Sequence, residues 1–360
     1  MKGVTLAEVA RAAGVSTSLA SLVLSGKAEG RCSAQTEAKV KAAATNLGYR
    51  ANRLARSLKK QTTRTLGLLS VEVATTPYAG EMLLAAQRVA RSHDYDLFFV
   101  EVENDPKSIA EAFDLLSEHQ VVGTILATYF HYEIKLPRTT PKNLVFANCF
   151  PSRGGYSAFV PAEYNSYMQG LKLLGIAGHK NVGMLIDDAN WPAVIGREKA
   201  FLDAAVQYGW SRPSERIYRV PGASTNDGYR ATLEMMVREP EITAIACYHD
   251  SLALGAYQAL RDLNLKIPDQ VSVVAFDDLE LISGGLRPGL TTVRLPHYQM
   301  GRDAVEHLIR ICEGSDDKPK QVVEIQGELV VRESVSVPRQ LTNASTSADI
   351  SPQSKEKEEK

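Results

Sequence analysis

Apolar positions in the first 64 residues recur at helical spacing, and from Thr65 onward they give way to short apolar runs that alternate with helical patterns. Leu6, Val9 and Ala10 fall at i, i+3 and i+4, and Thr5 stands three residues before Glu8, the spacing of a reciprocal cap, so a helix is expected from about Leu6. Gly14 supplies backbone freedom for a turn, Val15 is an apolar plug, and Ser16 can cap a second helix. Its buried side would be Leu19, Ala20, Val23 and Leu24, and its outward side Thr17, Ser18, Ser21 and Leu22. Such a pair has helix-turn-helix geometry, and short polar side chains near a helix N-terminus fit a DNA major groove. Short amphipathic pairs also occur in bundles that touch no nucleic acid, so the pattern alone leaves both readings standing. Ser33 can cap a third helix running through Ala42 and Ala43 to Leu47, stopped by Gly48. In the basic stretch from Tyr49 to Lys60, Leu54 and Leu58 lie at i and i+4, too short a pattern to hold as a helix alone. One reading is a segment that folds on DNA and wedges a leucine from the minor groove; the other is a solvated linker with incidental leucines.

Beyond Thr65, the runs TLGLLSV, DLFFVEV, GTILAT, LVFAN, NVGMLID, AIAC and VSVVAF read as buried strands. Pro77 to Ser92, Pro106 to Glu118, Tyr164 to Ala177, Pro192 to Tyr208, Asp227 to Arg238 and Asp250 to Leu263 read as helices between them. Alternating strand and helix means parallel sheets covered on both faces. So many strands in the remaining chain exceed one comfortable sheet, which points to an α/β body of two lobes with a cleft at the strand C-termini. Leu341 to Lys360 is Ser, Thr, Lys and Glu with little apolar content, and is expected to be a disordered tail.

Charge changes the picture at the N-terminus. Residues 1–64 hold twelve Lys or Arg against three Glu, hence +9, while the whole chain is −1, leaving −10 on the rest. A basic head on an acidic body is the footprint of a phosphate-binding module joined to one that repels phosphate. The cysteines at 32, 149, 247 and 312 are in no metal-ligand spacing, so reduced thiols and a cytoplasmic location are expected, with no metal and no cofactor. No apolar segment follows Lys2 and no run approaches the ~20 apolar residues of a membrane helix, so neither export nor insertion is expected. Phosphate-loop, zinc-protease and nucleophile-elbow motifs are missing, and adjacent Asp277 and Asp278 on a strand end would point to opposite sides, so the chain reads as no enzyme.

The motifs VTLAEVARAAGVS, LGYRANRLARSL, GHKNVGMLIDD, GREKAF, HDSLALGAYQAL, VSVVAFDD and LTTV follow one another from about residue 4 to residue 337. In that order and spacing they resemble the lactose/galactose-repressor (LacI/GalR) family of transcription factors. The resemblance implies an all-α helix-turn-helix headpiece over 1–60 with a hinge helix at about 51–60. It further implies a body over 64–338 similar to periplasmic sugar-binding proteins, and leaves a tail at 339–360. In such a body the chain crosses between lobes three times, giving lobes of about 64–161 with 294–321 and 162–293 with 322–338. The implied protein is a repressor acting as a homodimer on a near-palindromic double-stranded operator, gated by a small-molecule effector, a sugar or related polar metabolite, in the cleft. The tail lacks the leucine heptads of a tetramerisation bundle, which favours a dimer.

Carried onto this sequence, the DNA-facing set is Thr5, Ser16, Thr17, Ser18, Ser21 and Leu22, with Asn52, Arg53 and Leu58 in the hinge. Leu22 stands where many members have Arg, replacing a guanine contact by an apolar one, and Ala51 stands where Pro commonly precedes the hinge Asn, loosening its entry. The effector set is Tyr78, Tyr129, Asn148, Arg197, His249 and Asp277, with Phe130 beside them. Arg197 and Asp277 suit hydroxyls or a carboxylate, or else form an ion pair of their own. His249 replaces a common Asn and reads equally as ligand contact or satisfied structural group. Ala223 stands where sugar-binding members often supply an aromatic ring, which weakens the sugar expectation. The alternative is the same regulator with a drifted cleft that answers to a protein partner or to no ligand.

Overall fold

The computed structural model describes residues 4–49, 63–74, 76, 79–315 and 321–339. Contacts divide the chain into two units, Met1–Arg64 and Thr65–Lys360. In the first, α1 (Leu6–Ala13), α2 (Thr17–Leu24) and α3 (Ala34–Asn46) enclose a small core of Val9, Ala10, Ala20, Val23, Val40 and Ala44. Each helix starts on the hydroxyl that the pattern singled out. Thr5 and Glu8 cap each other, the Leu19 amide donates to Ser16 Oγ at 3.2 Å, and the Thr36 amide donates to Ser33 Oγ at 3.2 Å. Gly14 closes α1 at φ 67°, a left-handed conformation that costs glycine little. The expected split of α2 into buried and outward residues needs two corrections. Leu19 and Leu24 are only half-buried, and Leu22 is half-buried as well, packed on the core. A three-helix core this small covers neither side of α2 completely.

The second unit runs β1 (Thr65–Val71), α4 (Gly80–Ser92), β2 (Asp96–Glu101), α5 (Pro106–Glu118), β3 (Gly123–Ile134), β4 (Leu144–Pro151) and β5 (Ser157–Pro161) in one lobe. The other lobe takes α6 (Glu163–Ala177), β6 (Val182–Asp187), α7 (Pro192–Tyr208), β7 (Ile217–Val220), α8 (Thr225–Arg238), β8 (Ala244–Cys247), α9 (Asp250–Asp262), β9 (Ser272–Asp277), α10 (Glu280–Ser283) and β10 (Thr291–Arg294). The helix α11 (His297–Cys312) and strand β11 (Val322–Ile325) return to the first lobe, and β12 (Glu328–Val330) to the second. The sheets are ordered β11-β5-β4-β3-β1-β2 and β12-β10-β9-β8-β6-β7, and among the described strands the one antiparallel pair is β10 with β12. Strand orders of this kind, which reverse direction about their first strand, place ligand sites outside the C-terminal strand ends.

Three crossings join the lobes, but two of the expected boundaries move. Arg294 still pairs with Asp277 in the second sheet, and Val322 pairs with Ala158 in the first, so the last crossing follows Ile325 instead of residue 321. The helix expected from Pro77 is described from Gly80. The sequence pattern does not give strands β5, β7, β10, β11 and β12 or helices α10 and α11. Strands of three to five residues leave almost no periodic signal, whereas α11 does carry one, with Met300, Ala304, Val305 and Leu308 buried among charged neighbours.

Candidate DNA interface and interlobe site

On the headpiece, Thr17, Ser18 and Ser21 are exposed along α2, while Thr5 and Ser16 are exposed but spend their hydroxyls on caps. Thr5 Oγ1 donates to Glu8 Oε2 at 2.9 Å, and the Thr5 amide donates to the same oxygen at 2.6 Å. That cap holds Glu8 ionised to lower pH than an ordinary glutamate. Asn52, Arg53, Leu58 and Tyr78, with Ala51 and Pro77, lie outside the described residues, as does the tail beyond 339.

The junction of the two lobes is built at strand ends. Pairing of β3 with β4 slips between Ala127 and Tyr132, and this bulge leaves Tyr129, Phe130 and His131 without a paired residue on β4. Asn148, at φ 58°, clamps the bulge: its Nδ2 donates to Tyr129 O at 2.6 Å and to Thr128 O at 3.1 Å. Its buried Oδ1 has no protein partner. From the other lobe, Arg197 projects from α7 and is nearly fully buried. Its Nε donates to Glu163 Oε2 at 2.9 Å, Nη2 lies 2.8 Å from the same oxygen, and Nη1 donates to Tyr248 O at 2.6 Å. Phe276 and Tyr248 cover its flat face, with centroids 3.7 and 4.5 Å from Cζ. Asp277 is 3.9 Å from Arg197 Nη2 and ends β9 at φ 108°, a strained conformation for a residue with a side chain.

His249 caps α9, accepting the Ser251 amide at Nδ1 (3.0 Å), which leaves Nε2 to carry the proton toward Asp277 Oδ2 at 2.7 Å. Burial works against a charged imidazole here, but the Asp277 carboxylate outweighs it and raises the His249 pKa; full protonation would forfeit the cap bond at Nδ1. Behind it, Asp250 accepts from the Leu279 amide and Thr292 Oγ1, and burial, with the Asp277 charge added, raises its carboxyl to about 7. Asp278 turns away from Asp277 to Arg294 and Arg332, both at 2.7 to 2.8 Å. The two adjacent carboxylates thus serve separate partners, as expected, although both residues have positive φ (108° and 55°) and the divergence is not regular strand alternation.

Contacts across the junction bring in, beside expected residues, three that the sequence did not single out, His131, Glu163 and Trp191. His131 Nδ1 is 3.2 Å from Glu163 Oε1, and the rings of Phe130 and Trp191 lie 4.8 Å apart. Tyr129 OH is 3.4 Å from His249 Nε2. His297, at the start of α11, is buried with Nε2 unpartnered, and burial pushes its pKa down to about 4. Ala223 packs against the second lobe's core, and the aromatic surface at the junction comes instead from Trp191 at the α7 N-terminus and from the β3 bulge. Glu163 was hidden because an acidic residue opening a helix is what the helix dipole favours anywhere.

A two-lobed α/β body with polar side chains converging at its strand ends, joined to a helix-turn-helix unit, defines a binding-protein-like regulator. The sequence matches the model of bacterial regulatory proteins of the lacI family over residues 5–52 and that of the periplasmic binding protein-like domain over residues 173–335. Similar relatives include the HTH-type transcriptional repressor PurR of Histophilus somni, 29% identical with 92% of this chain and 98% of that relative covered. The HTH-type transcriptional regulator GalR of Escherichia coli is 27% identical, with 93% and 96% covered. In fold the chain is similar to the Lac repressor dimer bound to operator and the anti-inducer ONPF, with TM-score 0.73, 22% identity, and 93% of this chain and 100% of that chain covered. The head is thus that of bacterial regulatory proteins of the lacI family, and the relatives that span the whole chain are transcriptional regulators: the chain is a DNA-binding transcriptional regulator and not an enzyme. No helix among the described residues is long and apolar enough to cross a membrane.

Proposed function

We propose that this chain is a cytoplasmic repressor that binds a near-palindromic operator as a homodimer and answers to a small polar effector at the lobe junction. The observation that carries the DNA half is α2, which offers exposed Thr17, Ser18 and Ser21 from a head of charge +9. Leu22, half-buried, would meet a base only through the edge it leaves exposed, and an apolar contact with a thymine methyl is the chemistry open to it. Asn52 and Arg53 would follow the backbone and Leu58 would enter the minor groove. Leu58→Ala should then weaken specific binding far more than non-specific binding in a titration against operator and random duplexes. Equal losses would remove the wedge.

For the effector half, the supporting features are convergent polar groups on Tyr129, Asn148, His249 and Asp277 beside the aromatic faces of Trp191 and Phe130, an arrangement suited to a ring bearing hydroxyls. A thermal-shift screen of sugars, sugar acids, polyols and nucleosides tests it, because a ligand that prefers the folded state raises Tm by mass action. Arg197→Lys keeps the charge but loses the fork, and should abolish the response while operator affinity is retained. The second reading, a cleft that answers to no small molecule, is favoured by one observation: Arg197 and Asp277 are already partnered by Glu163 and His249. Silence across the screen with DNA binding intact would select it.

A further inference from the structure

Glu163 divides its carboxylate between the lobes. One oxygen holds Arg197 of its own lobe at 2.8 and 2.9 Å, and the other meets His131 of the opposite lobe at 3.2 Å. The group is buried, and although burial opposes its ionisation, Arg197 and His131 hold it charged below the ordinary glutamate range. Close by, the Tyr129–His249–Asp277 contacts and the Phe130–Trp191 ring pair also cross or flank the junction.

We propose that Glu163 is a positioning residue that occupies Arg197 as a built-in ligand and latches the lobes together through His131 with no effector present. The chain itself supplies the charge and hydrogen bonds that join its lobes. Resting on the reading of the junction as the effector site, a consequence follows. A ligand that takes the Arg197 fork competes with Glu163, frees His131, and acts by opening the lobes.

Trp191 provides the readout, since it packs on Phe130 of the other lobe, whereas the second tryptophan, Trp210, is buried in the core of its own lobe and stays constant. Emission of the ligand-free full-length protein is measured with Trp191→Phe subtracted, alongside the radius of gyration from small-angle scattering. His131→Leu removes the interlobe donor to Glu163 and leaves the Glu163–Arg197 pair intact. It should shift Trp191 emission to the red by several nanometres and increase the radius of gyration. His131→Asn places a side-chain amide where Nδ1 sits and should restore both values, which a purely steric role for the ring would not allow. Glu163→Gln should open the lobes like His131→Leu, and if it fails to fold, the two His131 variants still decide. A His131→Leu protein indistinguishable from wild type, or a His131→Asn protein as open as His131→Leu, overturns the latch. These measurements use no effector, so a silent ligand screen would remove the effector reading and leave the latch standing. Any hit from the screen should move Trp191 emission in the same direction as His131→Leu; a hit that leaves it unchanged overturns opening by competition.

Discussion

Arg197 shows how much a single buried charge commits its neighbours. Replacing it by Ala would strand the Glu163 carboxylate, and breaking a buried pair in this way costs about 3–5 kcal/mol. We expect a correspondingly lower urea midpoint for Arg197→Ala than for wild type, and it is for this reason that Arg197→Lys is the better probe of effector response. Asp250 supplies a pH dependence whose sign can be worked out. Its carboxyl is raised to about 7 in the folded chain against an ordinary value of 3.8, so the folded state holds a proton that the unfolded state has released. The contribution is full below the unfolded value and falls as pH rises toward 7, by up to ~1.4 kcal/mol per pH unit for one proton. Asp250→Asn mimics the protonated form, accepting from Leu279 and donating to Thr292, so the difference in unfolding free energy between variant and wild type should change between pH 4 and 7 and flatten below it. A difference constant over that range would place the proton elsewhere.

Among the elements, the packing of α8 on α9 is set by two glycines. A Cβ at Gly255 would sit 2.1 Å from Thr225 O, and one at Gly228 would sit 2.3 Å from Leu252 O. Backbone cannot yield as a flexible side chain can, so Gly255→Ala should cost at least the ~1–3 kcal/mol typical of overpacking. Gly80, at the start of α4, has open space around its Cβ position, and Gly80→Ala should leave Tm unchanged or raise it by the equivalent of ~0.5–1 kcal/mol. Differential scanning calorimetry of the two variants separates crowding from backbone entropy. The β3 bulge is the element that builds the junction, and Asn148 acts on it as a backbone clamp as much as a ligand donor. Loss of that clamp by Asn148→Ala would free two carbonyls that it now satisfies.

At the scale of the whole molecule, charge is distributed so that one end seeks phosphate and the rest does not. The head carries +9 and the remainder −10. DNA affinity should therefore fall linearly with salt on logarithmic axes, with a slope of about −0.9 per phosphate neutralised. Substituting Lys27 or Arg31 by Gln should reduce that slope if the side chain meets a phosphate, whereas charge changes on the exposed body surface, such as Glu234→Gln, should not. A slope insensitive to every head substitution would contradict an electrostatic role for the headpiece.

Local rules determined a large share of this protein before any tertiary structure. Thr5, Ser16 and Ser33 marked three helix starts because a cap is a contact within three residues, and the apolar runs from TLGLLSV to VSVVAF became central strands because burial on both faces leaves an unbroken signal. DLFFVEV is the exception: it reads as buried but forms the edge strand β2 with no buried residue. Ordered motifs also placed Arg197, His249 and Asp277 at one site. Sequence left open short strands such as β7 and β11 and the partners of each polar group, and it put Val322–Ile325 in the wrong lobe. Those depend on contacts between residues far apart in the chain: Glu163 with His131, Trp191 with Phe130, Asn148 with the β3 carbonyls. A side chain's chemistry is written locally, but whether it is free for a ligand or already satisfied is decided by what the fold brings against it.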